Sequence, residues 1–344
     1  MKIVIIGGGF CGAWVAKKLE KNKNHEVTLI DAKEYFEYSP SLWKLLLDTS
    51  IYKHLSTPHA VYLRNTRVVT DLLVAVTPTI VQTKKEKIPF DYLVIATGID
   101  YPIFLKNTRN VFAVKSGQDV MKHTQQVIKA NTILIIGGGL IGVEVAGELA
   151  THAPTKQIIV IHPFRTLLER NIPAVSAYAK KFLEEKGVEL IFNEKIVDYK
   201  KGVFLTNTNR SIKADIGIWC GGIRCNPWFM KEFPDSIFTE KKALKVNHYL
   251  QLTGYQQIFV GGDVNDIHEE KTAAAADRQA IFITANILRM IKGKKPYRYK
   301  PILLPMDISL GRYNAIIVYP PFVLPGVIAA IVKKLVEKIA MFRL

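Results

Sequence analysis

Lys2-Ile-Val-Ile-Ile-Gly-Gly-Gly-Phe-Cys-Gly12 and Thr132-Ile-Leu-Ile-Ile-Gly-Gly-Gly-Leu-Ile-Gly142 read almost alike, 130 residues apart. Each is an apolar run of strand length, then a G-x-G-x-x-G turn, then a helix-compatible stretch over 13–20 or 143–150. A lone glycine-rich turn carries little weight. Two of them, each following a clean strand, form the dinucleotide fingerprint in the context it requires. Gly7 and Gly137 permit the tight turn, Gly9 and Gly139 let backbone approach a pyrophosphate, and Gly12 and Gly142 let helix and strand pack closely. The helix start adds unpaired N–H groups and the positive end of its dipole. The pattern predicts an α/β protein with two Rossmann-like dinucleotide-binding domains.

Each unit should carry a ribose reader at the end of its second strand. His25-Glu-Val-Thr-Leu-Ile-Asp31 supplies a carboxylate 19 residues past Gly12. Gln157-Ile-Ile-Val-Ile-His162 ends instead in an imidazole, with Arg165 three residues on and no acid at the strand end. A carboxylate would repel a 2′-phosphate, so this reading leaves both NADH and NADPH open.

Three further stretches extend the pattern: Tyr92-Leu-Val-Ile-Ala-Thr-Gly98, Asp215-Ile-Gly-Ile-Trp-Cys-Gly-Gly222 and Ile258-Phe-Val-Gly-Gly-Asp263. With these the chain resembles the two-dinucleotide FAD/NAD(P)H flavoprotein oxidoreductases related to the pyridine nucleotide–disulfide reductases. The resemblance covers nearly the whole chain. It implies that the first fingerprint holds FAD non-covalently and the second holds NADH or NADPH as electron donor. Around FAD it places Gly7, Gly9, Phe10, Gly12 and Asp31, with Pro40, the Ala96-Thr97-Gly98 crossover, Gly262 and Asp263. It also puts Ala273 against the flavin, and the N-terminus of the helix over 271–287 at the flavin pyrimidine. Around NAD(P)H it places Gly137, Gly139, Gly142, Glu144, His162 and Arg165, with the return through Gly221 and Gly222. The expected segments are 1–112 and 225–290 for the FAD domain, 113–224 for the NAD(P)H domain, and 291–344 as a membrane-associating or interface segment.

Cysteine decides the branch. Cys220 and Cys225 have C-x4-C spacing, but they flank the return crossover, and Cys11 stands alone in the first turn. No redox-active disulfide is expected, so electrons must leave the flavin directly for an external acceptor. Glu34-Tyr-Phe-Glu-Tyr-Ser-Pro40, Gly142-Val-Glu-Val-Ala-Gly-Glu148 and Ser309-Leu-Gly-Arg312 resemble the type II NADH dehydrogenases and the ferroptosis-suppressor or AMID-type quinone reductases, relatives of apoptosis-inducing factor. Ala274 and Arg278 stand where the dehydrogenases usually carry glutamines, which moves the match toward the AMID type. By resemblance Glu144 accepts from the nicotinamide carboxamide, while Lys271 and Gln279 face the flavin, where positive charge would stabilise its reduced anion. Tyr38 and Trp43 fit the flavin or acceptor pocket, or simply the core. No metal site is expected.

The 344 residues, 49% hydrophobic, exclude intrinsic disorder. Three cysteines exclude a disulfide scaffold. Met1-Lys2 runs directly into an apolar strand, so neither a cleaved leader nor N-myristoylation is expected. The net charge is +17, and residues 289–344 hold eleven basic residues against Asp307 and Glu337. Prolines 320, 321 and 325 break the uncharged run 313–332, which excludes a transmembrane span. From Gly326 onward Ile328, Ile331, Val332, Leu335, Ile339 and Phe342 fall on one helical face, with Lys333, Lys334 and Glu337 opposite. Such a basic amphipathic helix suits an anionic membrane surface, and its other use would be a homodimer interface or packing on the protein's own core. The function expected is NAD(P)H:quinone oxidoreduction by a cytoplasmic, peripheral membrane protein. The alternatives are reduction of an electron-transfer protein, or an apoptosis-inducing-factor-like redox sensor. Nucleic acid ranks below lipid as the anionic partner, because charge is its only support.

Overall fold

Uninterrupted apolar strands need both faces covered, and Ile3–Ile6 and Ile133–Ile136 are buried throughout in the computed structural model. It describes residues 1–225 and 227–343; Asn226 and Leu344, in the third and fourth expected segments, lie outside the described residues. The chain forms two compact units. The first holds Met1–Glu37, Ser56–Asp100 and Arg224–Leu304, and the second Tyr38–Leu55, Tyr101–Ile223 and Pro305–Leu344.

In the first unit the strand Lys2–Ile6 is central. Glu26–Asp31 and then Thr66–Thr70 lie on one side, and Tyr92–Ile95 and then Ile258–Val260 on the other, all parallel. The second unit repeats this order around Thr132–Ile136. Gln157–His162 and Glu189–Phe192 lie on one side, Ile216–Trp219 and Val111–Ala113 on the other, again all parallel. The order reverses at the central strand of each sheet, so each glycine turn opens at a topological switch point, where such sheets bind ligands. Each unit has its own core. One gathers Val4, Ile95, Phe229 and Val260, the other Leu134, Ile161, Phe204 and Trp219. The fold is thus the α/β dinucleotide-binding architecture that the repeat predicts.

The second unit ends in an antiparallel sheet of Met306–Ser309, Ala315–Tyr319 and Phe322–Gly326, followed by the helix Val327–Phe342. Here the structure corrects one expectation for that helix, that Lys333 faces water. Ala329, Ala330 and Lys333 are its buried face, and Ala329 and Ala330 pack on Ala315 and Ile317. Lys333, expected to face water, is 7% exposed. Glu337 accepts from Ser41 Oγ at 2.5 Å and from Lys44 Nζ at 2.6 Å. The polar edge is therefore the docked one, and the apolar stripe is turned outward, with Ile328 64%, Ile331 61% and Leu335 56% exposed. Phe322 and Leu324 of the preceding hairpin are exposed as well. Among the described residues no helix is long and apolar enough to cross a membrane.

Candidate dinucleotide sites

Two glycine turns of one geometry form the candidate sites. Gly7 has φ +94°, and a Cβ there would strike the Ala96 carbonyl. A Cβ on Gly12 would strike the Gly7 carbonyl, as one on Gly142 would strike that of Gly137. Nothing lies within 4 Å of the Cβ position at Gly9 or Gly139, so each turn is closed on the protein side and open where a pyrophosphate would lie. Gly9 and Gly139 are also the N-caps of Phe10–Leu19 and Leu140–His152, with no side chain bonded across either end. Those first-turn N–H groups suit an anion. Both turns fit the phosphates of a dinucleotide.

In the first unit Asp31 Oδ2 accepts from the Gly8 N–H at 2.7 Å and lies 3.3 Å from His59 Nε2. His59 is fully buried, and its Nδ1 is 2.6 Å from Tyr62 Oη. Burial pushes the Tyr62 phenol up; it stays protonated and can donate to Nδ1, which would turn Nε2–H toward Asp31. Phe10 meets Phe36 edge to face. Ala96 is tied by its N–H to the Ile6 carbonyl, and Gly98 has φ +66°. Gly262 donates its N–H to Gln279 Oε1 at 2.8 Å, and Asn265 Nδ2 donates to the same oxygen. Gln279 Nε2 donates to Glu269, so this buried amide braces the Gly262-Asp263 turn from behind.

Burial pushes the Asp263 carboxyl up to about 6, with Lys271 opposing. Burial lowers the Lys271 ammonium, and Asp263 opposes that shift. Lys271 Nζ donates to the Asn265 carbonyl at 2.8 Å. Ala273 begins the helix Ala273–Ile291, which Thr272 caps through the Ala275 N–H. Arg278 packs over the Tyr299 and Phe282 rings and donates to the Lys300 carbonyl, a structural post.

In the second unit His162 fills the slot that Asp31 holds in the first: its Nδ1 accepts from the Gly138 N–H at 2.9 Å. Its Nε2 lies 3.1 Å from Glu169 Oε2. Arg165 is exposed on the same loop. The return turn runs through Gly221, whose carbonyl accepts from Trp219 Nε1, and Gly222, φ +75°. Pro40 belongs to this unit too, its carbonyl accepting from Trp43 Nε1 at 3.0 Å. Tyr38 and Trp43 are buried.

Glu144, on the helix behind the second turn, is buried and accepts at Oε1 from Lys333 Nζ at 2.6 Å and from the Ser309 N–H at 3.1 Å. Lys333 also pairs with Asp307 Oδ2 at 3.0 Å. Burial pushes Glu144 up while Lys333 pulls it down. Burial likewise disfavours the Lys333 ammonium, but Glu144 and Asp307 outweigh it and hold Lys333 above its ordinary range. The pair is ionic, since a neutral glutamic acid would leave the buried ammonium to Asp307 alone. Beside it lies a cavity of about 310 Å³ lined by Trp43, Glu148, His152, Arg312, Lys333 and Glu337. A larger open basin of about 810 Å³ beside Lys18, Lys21 and His25 also borders Met1, at the amino end of the central strand. It sits at the wrong end of the sheet for a nucleotide.

The family model described as pyridine nucleotide-disulphide oxidoreductase matches residues 1–280. The chain belongs to that family. Ferroptosis suppressor protein 1 of Taeniopygia guttata is 29% identical over 92% of this chain and 88% of its own length. Among solved structures, the sulfide:quinone oxidoreductase of Aquifex aeolicus superposes with a TM-score of 0.87 at 21% identity, over 98% of this chain and 90% of that one. NDH2 of Plasmodium falciparum, solved in complex with NADH, gives 0.86 at 16% identity, over 99% and 96%. FAD and a nicotinamide dinucleotide are the cofactors that go with this family. This member departs from the family's name in its thiols. All three cysteines are free, and burial pushes each thiol up, which disfavours the reactive thiolate.

Sequence reasoning missed His59, Glu169 and the inward turn of Lys333. His59 opens the short helix His59–Tyr62 and Glu169 lies in a loop, and neither has a fixed spacing to its glycine turn. A signal for Lys333 did exist: Ala329, Ala330 and Lys333 form a stripe of small residues ending in a lysine, opposite the apolar face.

Proposed function

We propose that this chain is an FAD-dependent NAD(P)H:quinone oxidoreductase acting as a peripheral protein on the cytoplasmic face of a membrane. The observation that carries this reading is the duplicated turn, each copy with its open glycine and its own reader, in a chain whose cysteines are all free. The names of the two structural neighbours, one a quinone oxidoreductase and one solved with NADH, support the acceptor and donor classes.

FAD is assigned to the first unit and NAD(P)H to the second. When bound, the flavin supplies the means to take a hydride from the nicotinamide and pass its electrons on. The protein supplies position and field. Gly9, Phe10 and Gly12 bring backbone N–H groups to the FAD pyrophosphate, and Asp31 accepts from the adenosine ribose. Asp263 faces the ribitol chain, and Lys271 places positive charge beside the same motif, where Gln279 holds the Gly262 backbone in line. Gly139 and Gly142 do the same for NAD(P)H. Both bonds to Glu144 fall on Oε1, so Oε2 is the atom assigned to the nicotinamide carboxamide.

A lipid-soluble quinone must be met at the bilayer. The outward stripe Ile328, Ile331 and Leu335 with Phe322 supplies an apolar surface, and exposed Lys334, Lys338 and Arg343 suit anionic headgroups. Because Lys333 lies in the same helix, truncation would also break its pair with Glu144. The surface is better tested by Ile331→Ser with Leu335→Ser, which should abolish co-sedimentation with phosphatidylserine vesicles. The enzyme reading is tested by following NADH and NADPH oxidation with a short-chain ubiquinone, with and without those vesicles. Rapid turnover that the vesicles accelerate is expected, and failure to reduce any quinone would overturn the assignment.

A further inference from the structure

The peptide of Gly138 is gripped on both sides. Its N–H donates to His162 Nδ1 at 2.9 Å, and its carbonyl accepts from the Leu168 N–H at 3.0 Å. Leu168 takes φ +52°, and the Asn171 N–H closes a turn onto its carbonyl at 2.8 Å. Leu167, fully buried, packs against Gly138. The loop after the second strand is therefore folded back and clamped on the glycine turn, and the residue after the clamp is Glu169.

The imidazole fixes where that carboxylate points. Because Nδ1 accepts from Gly138, the ring proton resides on Nε2. Nε2–H donates to Glu169 Oε2 at 3.1 Å. In the first unit the glycine-turn amide meets a carboxylate directly; in the second it meets an imidazole whose far side holds a carboxylate. The acid missing from the strand end is thus restored seven residues later. His162 is buried and Glu169 keeps 30% of its side chain in solvent, so the carboxylate stands at the rim of the turn, accessible to a ligand.

We infer that Glu169, oriented by His162, reads the adenosine ribose of the donor and selects NADH over NADPH. This rests on the assignment of NAD(P)H to the second unit and supplies the donor preference which that assignment leaves open. A ribose 2′-hydroxyl can donate to the carboxylate. A 2′-phosphate would bring about two negative charges against it in a partly desolvated rim. Exposed Arg165 and Arg170 on the same loop are the groups that would favour the phosphate. Glu169 is tied to the turn through His162. His162 is a positioning residue.

The test uses the full FAD-loaded chain and measures binding of NAD⁺ and NADP⁺ by titration calorimetry, with no quinone present. The wild type should prefer NAD⁺ by about tenfold or more, the order expected for one like-charge contact at a protein surface. E169Q should strengthen NADP⁺, weaken NAD⁺ and shrink the ratio by about tenfold. H162A should shrink it similarly, and H162A/E169Q should add nothing further, a non-additivity that mere loosening of the fold would not give. R165Q should leave the preference for NAD⁺ standing. Equal or tighter binding of NADP⁺ by the wild type, or a ratio unmoved by E169Q, would overturn the inference. Failure to bind either nucleotide would overturn both the inference and the assignment of the second unit. Selective binding without quinone turnover would uphold it and remove only the acceptor.

Discussion

In the first unit the Gly8 amide donates to Asp31; in the second the equivalent amide, Gly138, donates to His162. Two residues past the last glycine the first helix carries Trp14 and the second carries buried Glu144, held by Lys333. After the outermost strand of each sheet, the first unit places the buried carboxylate Asp263, and the second places Ser116, which caps a helix through the Asp119 N–H. The backbone of the turn is the same in both, down to the carbonyl that excludes a Cβ at Gly12 and Gly142. A pyrophosphate is recognised by backbone N–H groups, which cannot vary with sequence, whereas sugar and ring are recognised by side chains, which can. The two units share the first and differ in the second.

The largest expected effect lies where the units differ most, at Glu144. Lys333→Met leaves Glu144 buried with only the Ser309 N–H and should cost about 3–5 kcal/mol, as removal of one partner of a buried pair does. Urea unfolding followed by tryptophan fluorescence measures it, and adding Glu144→Gln should recover part of the loss. A loss below about 1 kcal/mol would mean that the pair is solvated. Next come the shared glycines. Gly12→Val and Gly142→Val meet the same carbonyl obstruction, and each should cost about 3 kcal/mol, the upper end for an overpacked site. They should differ in ligand: Gly12→Val loses the visible flavin absorbance, while Gly142→Val keeps it and loses NAD⁺ binding in calorimetry. If both lose the same ligand, the units are not specialised as described.

The glycine turns and central strands were legible because both positions restrict residue type at fixed spacing. A strand covered on both faces must be apolar, and a Cβ at Gly12 has nowhere to go. Asp31 and His162 were legible for the same reason, since each ends the strand that follows. Glu169 and His59 were not, because a loop delivers the one and the short helix His59–Tyr62 the other, and neither is held at a fixed spacing from its glycine turn. The last helix was half legible. Its periodicity marked an apolar face correctly, but an apolar stripe is ordinarily the docked one. Burial of Lys333 against Glu144 and Asp307 reverses that here, and only the contact between residues 189 positions apart reveals it.

The smallest contrast concerns pH. The Asp263 carboxyl is raised from 3.8 to about 6, chiefly by burial. An acid whose folded pKa exceeds its unfolded value is protonated more readily in the fold, so its contribution to stability grows as pH falls through about 6 and is complete near 3.8. Above that window the ionised, buried carboxylate opposes folding of the flavin-free protein. Asp263→Asn removes the titration and keeps the shape. The stability of the wild type minus that of Asp263→Asn, from urea midpoints, should therefore rise by about 1 kcal/mol between pH 7.5 and pH 5. The second unit has no acid at the matching place. Ser116→Ala should cost about 0.5–1 kcal/mol for its lost cap, and that cost should stay level across the same range, because Asp119, held below its ordinary value, remains ionised throughout. A level Asp263 difference would put that carboxylate in water-like surroundings and erase the electrostatic distinction between the two units, leaving their contrast to rest on His162 and Glu144.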